Sequence, residues 1–260
     1  MKIRIVSLVF LAFFAVQPAC GHAHFLWMNP NTYSPEPAEG ISISFGFGHA
    51  FPYSGEFLEK EAIGHVFLAA PDGKRKVISL EDGKVVYHLP PLPSRSGTYM
   101  ISAANKGGYF TKTAEGVRPV PKNQAEGAIS SVFLSCSSKA LLVAGTPGGK
   151  GYAEAAGTDM EIIPLEDPTT LRPGAYLPIR VLLRGRPLAD TFVQATYDGF
   201  SPWGKIAFAY STKTNGEGIA HIRLEKRGVW LILARNKAPC PDPSLCDNEV
   251  LNATLTFEIP

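Results

Sequence analysis

Short segments that alternate apolar with small or polar residues recur along the chain, and turns separate them. Residues Ile41–Gly48 alternate strictly, which is the pattern of a half-buried β-strand. Glycine (25) and proline (22) are abundant, and both favour turns between strands. The sequence contains no amphipathic helical segment of the roughly 10–12 residues usual in mixed folds. It therefore predicts an all-β protein built from antiparallel sandwiches.

The strand pattern divides the chain into two parts at a glycine-rich connector, residues 145–151. We expect one β-sandwich over residues 24–150 and another over residues 156–260, in tandem. The second part carries seven strand-like segments in about 100 residues, the rhythm of an Ig-like, transthyretin-like or carboxypeptidase-regulatory-like sandwich. The connector is not a phosphate loop, because Lys150 is followed by Gly151 rather than by Ser or Thr.

Residues 1–23 have the composition of a secretory signal peptide. Lys2 and Arg4 stand at the start of an apolar run that extends to Val16, and small residues follow it. A run of about 14 residues is too short for a membrane helix, which takes about 20. We expect the leader to be removed, leaving a soluble chain in the periplasm or another extracytoplasmic space.

The bond that is cut decides which histidine becomes terminal. Cleavage after Ala23 makes His24 the first residue, whose α-amine and imidazole can chelate one metal ion; we favour this bond. Cleavage after Gly21 instead places His24 third from the amine, a square-planar site suited to Cu(II) or Ni(II). Acylation at Cys20 is a third alternative, although residues 17–20 make a poor lipobox.

A second histidine is positioned to join the first. His49 ends the alternating strand, and a short loop lets that strand pair with the apolar strand that begins at Phe25. This pairing predicts that His24 and His49 meet at one sheet end, with Glu56 or Glu59 close enough to complete a metal site. The other histidines, His65, His88 and His221, lie on strands where solvent exposure is the simpler interpretation.

The cysteines and the charge pattern constrain function further. Cys240 and Cys246 close a short loop that favours a disulfide in an oxidising compartment, and Cys136 lies on an apolar segment as a buried free thiol. The net charge is only +2, and no Lys/Arg cluster is long enough to follow a phosphate backbone, so nucleic acid is not an expected partner.

Catalytic motifs are lacking in the sequence. There is no Gly-x-Ser-x-Gly elbow and no His-Glu-x-x-His. We therefore expect a binding protein rather than an enzyme, with a copper oxygenase of the histidine-brace type left open.

These features together resemble a family of periplasmic components of cobalt/nickel ABC transport systems, whose shared domain was long catalogued as one of unknown function. The resemblance covers essentially the whole mature chain. It rests on His-Ala-His-Phe-Leu-Trp at 22–27, Gly-His-Ala-Phe-Pro at 48–52, and the segments at 160–168, 171–174, 183–188, 214–218, 228–231 and 253–258.

The resemblance implies capture of Ni²⁺ or Co²⁺ outside the cytoplasm and delivery to a membrane permease of an ABC-type transporter. It supports His24 as the mature terminus and His49 as its partner. Two alternatives stay open: a Cu²⁺-binding carrier or oxygenase with a histidine brace, and an Ig-like adhesion or structural module without metal. The nitrogen-donor affinity order does not decide between these metals.

Overall fold

A computed structural model describes residues 24–36, 40–49, 51–53, 56–80, 86–89, 91–92, 95–201 and 207–260, with the main chain alone at 56 and 57. The predicted signal peptide, its cleavage bond and Cys20 lie outside these residues. In the described part, no helix is long and apolar enough to cross a membrane.

The described residues form eighteen β-strands and four short 3₁₀ turns. The strands are β1 Phe25–Pro30, β2 Ile41–Gly48, β3 Glu56–Phe57, β4 Ile63–Ala69, β5 Arg75–Val77, β6 Val86–Leu89, β7 Gly97–Asn105, β8 Gly108–Thr113, β9 Gly116–Arg118, β10 Ser130–Ala144, β11 Met160–Pro164, β12 Tyr176–Leu183, β13 Arg186–Pro187, β14 Phe192–Tyr197, β15 Tyr210–Lys213, β16 Ile219–Arg223, β17 Gly228–Pro239 and β18 Asn248–Ile259. The 3₁₀ turns are Lys60–Ala62, Lys122–Gln124, Gly151–Ala153 and Pro168–Thr170.

These strands make one large sheet and two small ones. The central sheet has ten strands, eight of them in the order β15-β14-β17-β18-β10-β7-β4-β5, with the β8–β9 hairpin attached to β10. One small sheet contains β1, β2, β3 and β6, and the other contains β11, β12, β13 and β16. The predicted all-β fold is confirmed.

The small sheets cover opposite faces of the central sheet, which gives the molecule two hydrophobic cores. On β10, Ala140 and Leu142 belong to the core shared with β1 and β2, whereas Leu141 belongs to the core shared with β12 and β16. Successive strand residues point to opposite faces, so this alternation places the two cores on the two sides of one sheet.

The two sandwiches therefore share a sheet, an arrangement that the expected tandem of separate sandwiches did not include. Strand β10 from the first half pairs with β18 from the second half, and the pair is parallel. The other strand pairs of the described residues are antiparallel, as expected from the sequence. The one parallel pair lies where both faces of the sheet are covered, the usual situation of parallel strands: nearly all of β18 is buried. The division between residues 150 and 156 stays a prediction.

A buried ion pair fastens β11 and the segment 154–157 before it to the central sheet. Lys139 on β10 contacts Glu161 on β11 with 2.8 Å between Nζ and Oε2, and both side chains are almost fully buried. The Glu161 carboxylate also accepts hydrogen bonds from the main-chain nitrogens of Ala156 and Gly157, and Lys139 donates to the Glu154 carbonyl. Satisfied charges of this kind are tolerated in a core because every polar atom has a partner.

Candidate metal centre

The candidate site lies at one end of the β1–β2 pair. These strands pair antiparallel, and their last rung joins Phe25 to Gly48. The next residues outward, His24 and His49, therefore face each other across the strand ends. The strand pairing expected from the sequence is present, and it brings the two predicted histidines together.

The two imidazole rings are in contact. Their centroids lie 4.8 Å apart with an interplanar angle of 82°. Phe47 packs edge-on against His24 at 5.0 Å, and Phe25 packs against His49 at 5.3 Å. The two histidines therefore lie within an aromatic frame made by Phe25 and Phe47. Both are half-buried, so part of each side chain is exposed to solvent.

The distance between these two rings is one that two imidazoles on a single metal ion would show, and it is equally typical of edge-to-face ring packing. Two imidazoles on one ion, with bonds of about 2.0–2.1 Å, have ring centres roughly 4.5–5.5 Å apart when their nitrogens are neighbouring ligands. The observed 4.8 Å falls in that range. Among the described residues, no group of three or more His, Cys, Asp or Glu side chains is placed to hold a metal ion. A third protein donor would have to come from another group, such as a terminal amine.

Side chains of strand β18 hydrogen-bond the main chain of His24 and of strand β1. Asn252 Nδ2 donates to the His24 carbonyl at 3.2 Å, Thr254 Oγ1 to the Leu26 carbonyl at 2.6 Å, and Thr256 Oγ1 to the Met28 carbonyl at 3.1 Å. We call these three side chains the side-chain ladder. Every second residue of β18 thus binds every second carbonyl of β1, which joins the small sheet to the central one.

A buried thiol lies in the same layer. Cys136 Sγ donates to the His24 carbonyl at 3.5 Å and accepts from the Leu26 main-chain N–H. Burial raises the pKa of this thiol to about 11, so it is protonated at neutral pH. Cys136 is a free, buried cysteine as predicted.

The remaining predicted residues lie elsewhere or are only partly described. Glu56 lies on β3, where its main chain pairs with that of Phe47 on β2. Its side chain lies outside the described part. His65, His88 and His221 are exposed on β4, β6 and β16, in line with their interpretation as solvent-facing residues. The Cys240–Cys246 disulfide is present, with 5.6 Å between the Cα atoms.

The side-chain ladder was missed by the sequence reasoning, although a signal for it exists. Asn252, Thr254 and Thr256 place a polar residue at every second position of an apolar strand. Such alternation usually indicates a solvent-facing side. Here all three side chains are buried, because β1 covers them.

The fold and the site define an all-β protein whose small sheet presents a histidine pair at its edge. The chain belongs to the family described as "Domain of unknown function (DUF4198)", whose model matches residues 21–238. The match agrees with the domain of unknown function expected from the sequence. It provides no link to cobalt or nickel transport.

Other comparisons add little. No curated protein matches the chain. Among solved structures, the D00-D0 domain of intimin is 13% identical, covering 91% of this chain and 100% of that chain, with a TM-score of 0.22. Murine CEACAM1b is 9% identical, covering 91% and 98%, with a TM-score of 0.23. A Salmonella alpha-2-macroglobulin mutant is 10% identical, covering 96% and 16%, with a TM-score of 0.27. TM-scores this low support no inference.

Proposed function

We propose that the mature chain is an extracytoplasmic metal-binding protein that captures Ni²⁺ or Co²⁺ for a membrane uptake system. The observation that carries the proposal is the contact between His24 and His49, with 4.8 Å between ring centroids. Neutral imidazole is the commonest protein ligand of such ions. The aromatic frame of Phe25 and Phe47 restricts both rings and so reduces the entropy lost on binding.

The third donor in this proposal is the α-amine of His24, released when residues 1–23 are removed. Amine and imidazole of one residue form a chelate, and His49 supplies a nitrogen from the neighbouring strand. Three nitrogen donors with an open side suit capture and release, because exchangeable water completes the coordination. A transport role requires the ion to leave again.

The same donor set also favours a second candidate, a Cu²⁺-binding protein with a histidine brace. Nitrogen ligands generally bind Cu²⁺ more tightly than Ni²⁺ or Co²⁺. Affinity alone therefore does not identify the cargo, and the decisive measurement is which ion the protein carries when it is exported from its own host.

The test begins with intact-mass spectrometry of exported protein, which identifies the cleaved bond and any bound ion. Calorimetric titration with Ni²⁺, Co²⁺ and Cu²⁺ then gives affinities for the mature chain. We expect one ion per chain, with loss of binding in the double variant His24→Ala/His49→Ala. The matched control is His221→Ala, which removes an exposed histidine on β16 and leaves binding unchanged.

Two outcomes would reject the proposal. Unchanged affinity in the double variant would show that the metal binds elsewhere. An absence of binding to correctly processed protein would favour a structural or adhesive module. Delivery is tested separately: deletion of the gene lowers cellular nickel or cobalt uptake from dilute medium if the protein supplies a permease.

A further inference from the structure

Asn252, whose side chain contacts the main chain of His24, carries a buried acceptor atom that has no hydrogen-bond partner within the described residues. Its Nδ2 donates to the His24 carbonyl at 3.2 Å, and its side chain is 1% exposed. Its Oδ1 is buried and, within the described residues, has no hydrogen-bond partner. A buried acceptor left without a donor costs about 1–3 kcal/mol, so an unpaired atom at this position calls for an explanation.

The two threonines of the side-chain ladder bind their carbonyls without a second polar atom. Thr254 and Thr256 satisfy the carbonyls of Leu26 and Met28 with a single hydroxyl each. A threonine at 252 could supply the same donor to His24. Asparagine adds one feature that threonine lacks, a carbonyl oxygen beside the donor, and it does so at the rung where β1 begins.

The direction of the β1 main chain indicates what that oxygen can bind. The N–H and C=O of one strand residue point to the same edge, which is why paired residues can exchange both bonds. Leu26 follows this rule: its N–H contacts Cys136 Sγ and its carbonyl contacts Thr254, both on the central sheet. Two residues earlier, the His24 carbonyl contacts the Asn252 carboxamide on that same edge. Extending the strand rule by one residue beyond β1 assigns the His24 nitrogen to this edge as well.

We infer that Asn252 is a positioning residue that clamps the main chain of His24 at both ends once residues 1–23 are removed. Nδ2 stays on the carbonyl, and Oδ1, which has no partner among the described residues before removal, accepts a hydrogen bond from the new α-amine. The clamp thereby directs the amine toward the metal. The role in metal binding rests on the proposed function; the clamp itself does not. Neighbouring groups that orient metal ligands typically contribute 10–100-fold in affinity.

Two variants of Asn252 separate the two halves of the clamp. Asn252→Thr keeps a donor for the carbonyl and removes Oδ1. Asn252→Asp keeps an acceptor and removes the Nδ2 donor. Thr256→Val is the matched control, because it removes the ladder donor to Met28, four residues from His24. Each protein is prepared as the mature chain beginning at His24, and its fold is checked by circular dichroism.

The first measurement is Ni²⁺ affinity together with the visible absorption spectrum of the bound ion. We expect both Asn252 variants to bind Ni²⁺ about 10–100-fold more weakly, with a shifted spectrum that reports altered amine coordination. We expect Thr256→Val to keep the wild-type spectrum and an affinity within about twofold of wild type, far below the change typical of lost ligand positioning.

The second measurement needs no metal. Carbon-13 relaxation at His24 Cα reports order, which should fall from about 0.85 toward 0.6 in Asn252→Thr and stay high in Thr256→Val. If the wild-type chain binds no Ni²⁺, the proposed function fails and this measurement alone decides the clamp. Unchanged order at His24 in Asn252→Thr overturns the inference, as does an unchanged Ni²⁺ spectrum and affinity in a chain that binds the ion.

Discussion

The side chain of Asn252 hydrogen-bonds the main-chain carbonyl of His24, with 3.2 Å between Nδ2 and the oxygen. This contact joins the last strand of the chain to the first described residue. It continues through Thr254 and Thr256 along β1, so the strand that carries His24 is held on both edges: by β2 through main-chain bonds and by β18 through side chains. A terminus held in this way can present a metal ligand in a fixed position.

The central rung of the ladder should contribute measurably to stability. Thr254→Val preserves shape but removes the hydroxyl that donates to Leu26 and contacts Ser138 Oγ at 2.9 Å. The buried Leu26 carbonyl loses its side-chain donor, which typically costs about 1–3 kcal/mol. Urea denaturation should show this loss as a lower free energy of unfolding at an unchanged m-value.

The control for this change is Thr212→Val on β15. Thr212 is half-buried, and within the described residues its side chain makes no hydrogen bond. Its substitution should therefore alter stability by less than about 0.5 kcal/mol. Equal effects of the two substitutions would mean that the ladder contributes nothing beyond the cost of any Thr-to-Val change.

Gly46 is required by the packing of Trp27. The two residues face each other across β1 and β2, and a Cβ added at Gly46 would lie 2.2 Å from the Trp27 ring. Trp27 is fully buried, so the ring cannot move aside freely. Gly46→Ala should cost at least about 1–3 kcal/mol, the usual range for overpacking, and should weaken the β1–β2 pair that positions both histidines.

Gly40→Ala is the natural comparison, because nothing lies within 4 Å of a Cβ at that position. Thermal unfolding followed by circular dichroism should show a lower midpoint for Gly46→Ala and almost no shift for Gly40→Ala. A normal midpoint for Gly46→Ala would show that Trp27 has room to repack.

The Cys136 thiol predicts a dependence of stability on alkaline pH. Burial raises its pKa from 9.0 to about 11. The folded state therefore keeps a proton that the unfolded chain loses, so this stabilisation is complete below pH 9 and is lost as pH rises toward 11. A difference of two pKa units corresponds to about 2.7 kcal/mol.

Burial also raises the pKa of Tyr33, Tyr87 and Tyr99, and these groups add their own alkaline dependence, so the slope must be compared between variants. Cys136→Ala should be less stable at neutral pH because it leaves a cavity, yet its stability should fall less steeply between pH 9 and 11. Denaturant unfolding at a series of pH values gives both slopes. Parallel curves for the two proteins would contradict the shifted thiol pKa.

Local patterns in the sequence predicted the part of the site that local structure builds. The alternation in β2 and the short connection from β1 led to the pairing that brings His24 and His49 together. The contact of Asn252 with His24 spans 228 residues, and no periodicity reports a contact between strands of different sheets. The alternating polar residues of β18 therefore did not show that β1 is the strand that lies against them.

The shared sheet was missed for a related reason. Strands β10 and β18 are buried on both faces, whereas the polar residues at every second position of β18 indicate a solvent-facing side. The β8–β9 hairpin lies in a segment rich in glycine and proline, residues that favour turns in a sequence pattern.

The buried pair of Lys139 and Glu161 links β11 and the segment 154–157 to the central sheet. Lys139→Met leaves the Glu161 carboxylate buried without its cation, a change that typically costs 3–5 kcal/mol, about tenfold more than an exposed pair. The double variant Lys139→Met/Glu161→Gln removes both charges and should cost less than the sum of the single variants.

The matched control is Lys213→Met, since Lys213 pairs with Asp190 at 2.9 Å on the surface and should contribute less than about 1 kcal/mol. Urea denaturation of the wild type and of the four variants, Glu161→Gln alone included, measures these differences. Additive costs for the two buried residues would show that the ion pair itself does not hold the segment 154–157, and that the hydrogen bonds from Ala156 and Gly157 to Glu161 suffice.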